Sequence, residues 1–255
     1  MTLEQHVKEL LSHHHKNRAF STVYNDEKVW IKLPAMGEAN FWHIVLKLLF
    51  KITKNPLLAP TVVTNPKESL KHEAQKLKQL DRLGVKVPKV LAQSDEFIVL
   101  SDCGTPLSLL INRENISFNE KKEVLHKLST TLANMHNLGI YHSRPALRDI
   151  AYKDGEVYFM DFEENLEGIL STKDAITRDG LIYIHSIYRK LKNNDLIQYA
   201  LSTYLKHLNQ EIVSNLQSEV AKYKFLHFLL KNIEKFAGKD AKALLHTLNF
   251  ITNYN

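Results

Sequence analysis

The residues best placed to do chemistry fall within Gly139–Glu163, GIYHSRPALRDIAYKDGEVYFMDFE, which carries a His, two Arg, and Asp149 and Asp161 among apolar residues. Glu156–Met160 is rich in β-branched and aromatic side chains and reads as a strand, entered through a turn at Lys153-Asp154-Gly155. Asp149 and Asp161 therefore flank a hairpin and can approach each other although twelve positions separate them. Two carboxylates at one hairpin edge suit a hard divalent cation, Mg²⁺ shared with a phosphate. A hairpin with a surface Asp at each end is the plainer reading, and the stretch alone leaves both open.

The elements that must position these residues come before and after them. Leu3, Val7, Leu10 and Leu11 have helical spacing up to about His14, and His13-His14-His15 reads as a solvated helix end more readily than as a metal tract. Ala19–Tyr24 and Lys28–Leu33 form a hairpin around Asn25-Asp26-Glu27, and Lys32 interrupts its second, apolar strand. Such a lysine either faces solvent or projects into a cleft. Phe41–Lys54 is an amphipathic helix with Lys47, Lys51 and Lys54 in one stripe, suited to a membrane interface or to a core with one wet edge. Asn65-Pro66 opens a helix that reaches Leu83, contains Glu73 and ends at Gly84. Val85–Leu91 and Glu96–Leu100 read as strands and Phe118–Leu138 as a long helix. Further helices are expected over 179–191, 195–208, 211–235 and 239–252. The change from mixed strands to helices sets a boundary near residue 103, with residues 1–102 and 103–255 as two lobes.

Composition narrows the partners. The chain of 255 residues is 44% hydrophobic and 24% charged, as a globular protein is, and its net charge of +6 favours anionic partners. Cys103 is the single cysteine, which excludes an intramolecular disulfide and fits a reducing compartment. The first residues, MTLEQHVKELLS, lack the apolar centre of a secretory signal, and no run is apolar enough to span a bilayer. No basic motif interleaved with aromatics supports a nucleic-acid partner.

A strand lysine (Lys32), a helix glutamate (Glu73), a linker strand FIVLSDCG, a helix ending LANMHNLGIYH, a loop and a strand ending MDFE follow one another in this order. The order resembles the protein-kinase-like superfamily, and within it the bacterial lipopolysaccharide kinases that phosphorylate Kdo or heptose. The resemblance covers about residues 19–190. It implies an α+β, bilobal kinase-like fold with a small N-lobe (antiparallel sheet plus helices) and a mainly helical C-lobe. It implies ATP and Mg²⁺ as cofactors, a lipid-linked sugar as substrate, an anionic glycolipid or membrane surface as partner, and a cytoplasmic place at the inner membrane. Lys32 then matches the lysine that holds the ATP phosphates and Glu73 its helix partner. Asp161 matches the metal-binding Asp of D-F-G, and Asp149 the second metal ligand. Asp179 resembles the aspartate that braces the catalytic loop, although an acid opening a helix is also a favourable cap. His142 matches the His of H-R-D in a packing role.

Two departures from the pattern bear on activity. Arg144 stands where H-R-D has its Asp, and a guanidinium cannot accept a proton. Arg144 or Arg148 could instead clamp an anionic substrate or the transferring phosphate. No G-x-G-x-x-G precedes Lys32. Both departures leave room for a catalytically inactive pseudokinase that acts as a nucleotide-binding or regulatory module.

Overall fold

A computed structural model describes residues 1–12, 17–34 and 65–254. The histidine run and the amphipathic helix expected over Phe41–Lys54 lie outside the described residues. Two compact units divide the chain: Met1–Gly104 with Tyr158–Leu166, and Thr105–Val157 with Glu167–Asn255. Together they are α+β, the class expected from the sequence, with a small antiparallel sheet in the first unit and mostly helices in the second.

In the first unit, helix α1 (Leu3–Ser12) precedes strands β1 (Ala19–Tyr24) and β2 (Glu27–Lys32). Asn25 and Asp26 adopt φ of 50° and 62°, the left-handed pair of a two-residue hairpin turn, which Asn and Asp tolerate well. Helix α2 (Pro66–Arg82) follows, then β3 (Val90–Gln93) and β4 (Ile98–Ser101), giving the sheet order β1-β2-β4-β3 with every pairing antiparallel. Val29 and Ile31 of β2, with Phe97, Val99 and Val7, form a buried apolar cluster. The two-residue period of the strand sends Trp30 and Lys32 to the opposite face.

Asn65 caps α2, its side chain accepting from the Lys67 and Glu68 amides, and Pro66 occupies the first turn, where no amide is missed. The buried stripe of α2 is Leu70, Glu73, Ala74, Leu77 and Leu80, so a carboxylate sits in an otherwise apolar row. The strand expected over Val85–Leu91 starts only at Val90. Pro88 has no amide for a ladder, and the Lys86 carbonyl accepts instead from the Phe159 amide at 3.0 Å.

In the second unit, β5 (Thr105–Pro106) lies beside β6 (Ile150–Lys153) in a three-stranded sheet completed by β7 (Glu156–Phe159), of which Glu156 and Val157 belong to this unit, and Asp154-Gly155 makes the β6–β7 turn with positive φ at both residues. A short helix α3 (Leu107–Leu110) leads to α4 (Phe118–Asn137), which opens with a complete capping box between Ser117 and Glu120. Helix α6 (Asn194–His207) packs along α4, and α5 (Thr172–Lys190) meets α4 through the side chains of Tyr183 and Asp179. Tyr183 and Tyr204 meet edge to face at 4.9 Å in the core, and the Ser129 hydroxyl lies 2.8 Å from that of Tyr183 while donating to the Ala200 carbonyl.

Two sequence expectations are corrected here. Asp179 does not open a helix. Ser171 caps α5, accepting from the Asp174 amide at 3.1 Å, and Asp179 lies in the middle of the helix. The single helix expected over 211–235 is α7 (Gln210–Ala221), α8 (Lys224–Ile233) and a 3₁₀ turn Glu234–Phe236. No Gly or Pro marks the break. Glu219, buried, holds Lys222 Nζ at 2.6 Å and the Tyr223 hydroxyl at 3.0 Å, and the chain turns there. Helix α9 (Lys239–Thr252) closes the unit.

Candidate functional site

The first unit gathers one ammonium and three carboxylates. β2 sends Lys32 away from the apolar cluster, and its Nζ donates to Glu73 Oε1 at 2.7 Å and to Asp161 Oδ1 at 2.8 Å, with Glu163 Oε1 at 2.5 Å. Arg18 ion-pairs with Glu163 and donates from Nε to the Leu33 carbonyl at 3.2 Å. The Ser69 hydroxyl reaches the Glu163 carbonyl at 3.4 Å. Asp161 is held at φ 67°, a conformation that costs a non-glycine residue energy, and Phe162 beside it is buried.

Charge balance follows from these contacts. Burial pulls the Lys32 ammonium down, but Glu73, Asp161 and Glu163 outweigh it and hold Lys32 above its ordinary value. Burial is also the main influence on Glu73, and it pushes the carboxyl up to about 7; Lys32 opposes that, while Asp161 and Glu163 add to it. Among the described residues of the cluster, three acids face Lys32 and Arg18, so a full set of ionised groups carries one negative charge in excess.

That excess suits a hard cation. One oxygen from each of Glu73, Asp161 and Glu163 lies within 4.8 Å of the others. Glu73 Oε2 is buried and has no hydrogen-bond partner among the described residues. An orphaned buried carboxylate oxygen beside two more oxygens fits the all-oxygen shell of Mg²⁺.

The second unit builds a loop on α5. Asp179, fully buried, accepts from the backbone amides of His142 at 2.5 Å and Ser143 at 3.0 Å. His136 of α4 lies with Nε2 3.4 Å from the same carboxylate and Nδ1 2.8 Å from the Tyr204 hydroxyl. Burial first, and the Asp179 charge after it, push the Tyr204 phenol well above its usual range, so it stays neutral. Ser143 takes φ 86°, and the two amides it shares with His142 offset that strain. His142 is itself buried, and its Nδ1 accepts from the Arg144 amide at 3.3 Å. Further along, the Leu147 amide donates to Ser186 Oγ of α5 at 2.8 Å, and the Asp149 amide to the Ala146 carbonyl at 2.8 Å. Asp149 Oδ2 then receives Arg144 Nε at 3.2 Å and Arg148 Nε at 3.4 Å.

The residues singled out from the sequence thus fall into two groups. Lys32, Glu73 and Asp161 meet in the first unit; His142, Arg144, Arg148, Asp149 and Asp179 belong to the second. Arg18 and Glu163 join the first group, and sequence reasoning did not assign them a place. Arg18 is a lone arginine before a strand, with no signal of its own. His136 was also missed, yet Leu125, Leu128, Leu132 and His136 follow helical spacing on the buried stripe of α4, and that spacing marks it.

An uncharacterized protein of Haemophilus influenzae is 27% identical to this chain over 238 residues, covering 93% of this chain and 90% of its own length. No protein-family model matches. Among solved structures, the chain is similar to WaaP in complex with acyl carrier protein, with TM-score 0.48, 12% identity and 88% of each chain covered. It is also similar to the gentamicin-APH(2")-IIa complex, with TM-score 0.47, 10% identity, and coverage of 100% of this chain and 98% of that one.

Proposed function

We propose that this protein is an ATP- and Mg²⁺-dependent phosphotransferase acting on a lipid-linked sugar at the cytoplasmic face of a membrane, its two lobes being residues 1–102 and 103–255. One observation carries the reading: a part-buried lysine on a β-strand is ion-paired with both a helix glutamate, Glu73, and the aspartate of the MDFE strand end, Asp161. Phosphoryl transfer is mostly positioning and charge stabilisation, and this pairing is the part that kinases need in place. Lys32 is positioned to hold nucleotide phosphates, with Glu73 orienting it. Asp161, with Glu163 and Glu73, would hold Mg²⁺, which when bound neutralises charge on the phosphates. Asp149 is the second metal ligand by resemblance, and Arg144 and Arg148 are the groups to clamp an anionic acceptor or phosphate. The sugar-lipid substrate rests on the resemblance and the net charge of +6.

A second reading, a catalytically inactive nucleotide-binding module, is favoured by Asp149 and Arg144. Arg144 replaces the expected base, and two guanidiniums already engage the Asp149 carboxylate.

Thermal unfolding with ATP, with and without Mg²⁺, tests both. At an ATP concentration about a hundred times Kd, a site of this kind raises Tm by roughly 5–10 °C. Asp161→Ala abolishes the Mg²⁺-dependent part. No shift in the wild type overturns both nucleotide readings. A shift without transfer of labelled γ-phosphate to lipopolysaccharide extracts favours the inactive module.

A further inference from the structure

Helix α8 and the 3₁₀ turn after it bury one side chain, Leu230, and His227 Nε2 lies 2.6 Å from Asn249 Oδ1 of α9. Their outer face is apolar and wet. Phe225 is 73% exposed, Phe228 63% and Phe236 92%, and Leu229 and Ile233 are exposed beside them. Helical spacing puts Phe225, Phe228, Leu229 and Ile233 on one face, which the turn extends to Phe236. Three exposed phenylalanines in one patch are far from the scattered single apolar residues of an ordinary surface.

Lysines frame this patch. Lys224, Lys231 and Lys235 recur at spacings of seven and four, a stripe along one edge of the apolar face, and Lys222 and Lys239 stand at its two ends. Three acids stand near these five lysines and offset them only in part. Glu219 is buried and engaged by Lys222 and Tyr223, Asp240 is engaged by Arg189 Nε at 2.6 Å, and Glu234 is half-buried. An exposed aromatic face edged by a stripe of exposed lysines has the charge and shape of a helix that lies in a membrane interface, rings at the acyl boundary and ammonium groups at the headgroup phosphates. Among the described residues no helix is long and apolar enough to cross a membrane.

We infer that the α8 face is the docking surface of this protein for an anionic phospholipid membrane. The inference does not depend on nucleotide binding or phosphoryl transfer.

Co-sedimentation of the full chain with mixed phosphatidylcholine–phosphatidylglycerol vesicles, and with phosphatidylcholine alone, tests it. The wild type binds the mixed vesicles, binds the neutral ones far less, and is released by salt. Combined Lys224→Glu, Lys231→Glu and Lys235→Glu lowers partitioning by at least about a hundredfold, since each basic group near an anionic surface contributes roughly fivefold and each glutamate adds repulsion. Combined Phe225→Ser, Phe228→Ser and Phe236→Ser abolishes binding and leaves Tm close to wild type, because these side chains are exposed. Equal binding by folded variants, or no binding by the wild type, overturns the inference. So does loss of binding only on Lys47→Glu, Lys51→Glu and Lys54→Glu, or a concentration-dependent dimer dispersed by the Phe variant, which would make a second copy the occupant. An ATP-induced Tm shift on the same preparations reports separately on the proposed function: vesicle binding without it sinks that function and leaves this docking surface standing.

Discussion

The Lys32 cluster and the Asp149 cluster are built from the same groups in opposite proportion. In the first, three carboxylates surround one lysine, with one arginine at the edge. In the second, one carboxylate takes two arginines. Counted over the ion pairs just named, acids outnumber bases in the first and bases outnumber acids in the second. Burial differs as well. The Lys32 and Glu73 side chains are 12% and 1% exposed, whereas Arg148 is 61% exposed. Coulomb interactions are strong in the first setting and screened in the second.

The largest effect should come from breaking the buried side of this contrast. Lys32→Ala leaves Glu73, Asp161 and Glu163 without their common cation, and removing one partner of a buried pair costs about 3–5 kcal/mol. Urea denaturation measures this, and the deficit shrinks as pH is lowered, because the stranded carboxylates take up protons. A variant as stable as wild type at pH 8 would mean that the cluster carries no such charge stress.

A smaller, pH-shaped effect isolates Glu73. Its folded carboxyl is raised to about 7, while in the unfolded chain it releases its proton near its ordinary value. Between about 4.5 and 7 the folded state therefore binds more protons, and stability falls as pH rises, by at most about 1.4 kcal/mol per unit. Lys32 acts in another window: its stabilisation is full below its ordinary value near 10.4 and is lost above it. Glu73→Gln should flatten the slope between about pH 4.5 and 7 and leave the alkaline limb in place. Parallel curves for the two proteins would remove Glu73 as the titrating group.

The smallest effect belongs to the exposed arginine. Arg148→Ala should change stability by about 0–1 kcal/mol, as exposed ion pairs do. A loss as large as that of Lys32→Ala would show that the two clusters are not different in kind.

Much of this was legible in the residues. The β1–β2 hairpin, the Asn65 cap, the capping box of α4 and the Asp154-Gly155 turn follow from local chemistry that acts over two to four positions. Some local signals were weaker than the hydrophobic pattern and passed unread, although the contacts themselves span three or four positions. Ser171 starts α5 seven residues before the helix expected at Asp179, and Glu219 breaks a run that contains no breaker.

The sequence by itself determined most of the elements and the presence of a lysine in an apolar strand, since hydrophobic period and turn chemistry are properties of neighbouring residues. Only the tertiary structure decided what that lysine meets. Glu73, Asp161 and Glu163 come to one ammonium from a helix and a strand end far along the chain. Only the tertiary structure, too, left the α8 phenylalanines uncovered. The physical reason is common to both: the energy of a buried charge or an apolar face depends on what is folded against it, which no local pattern records.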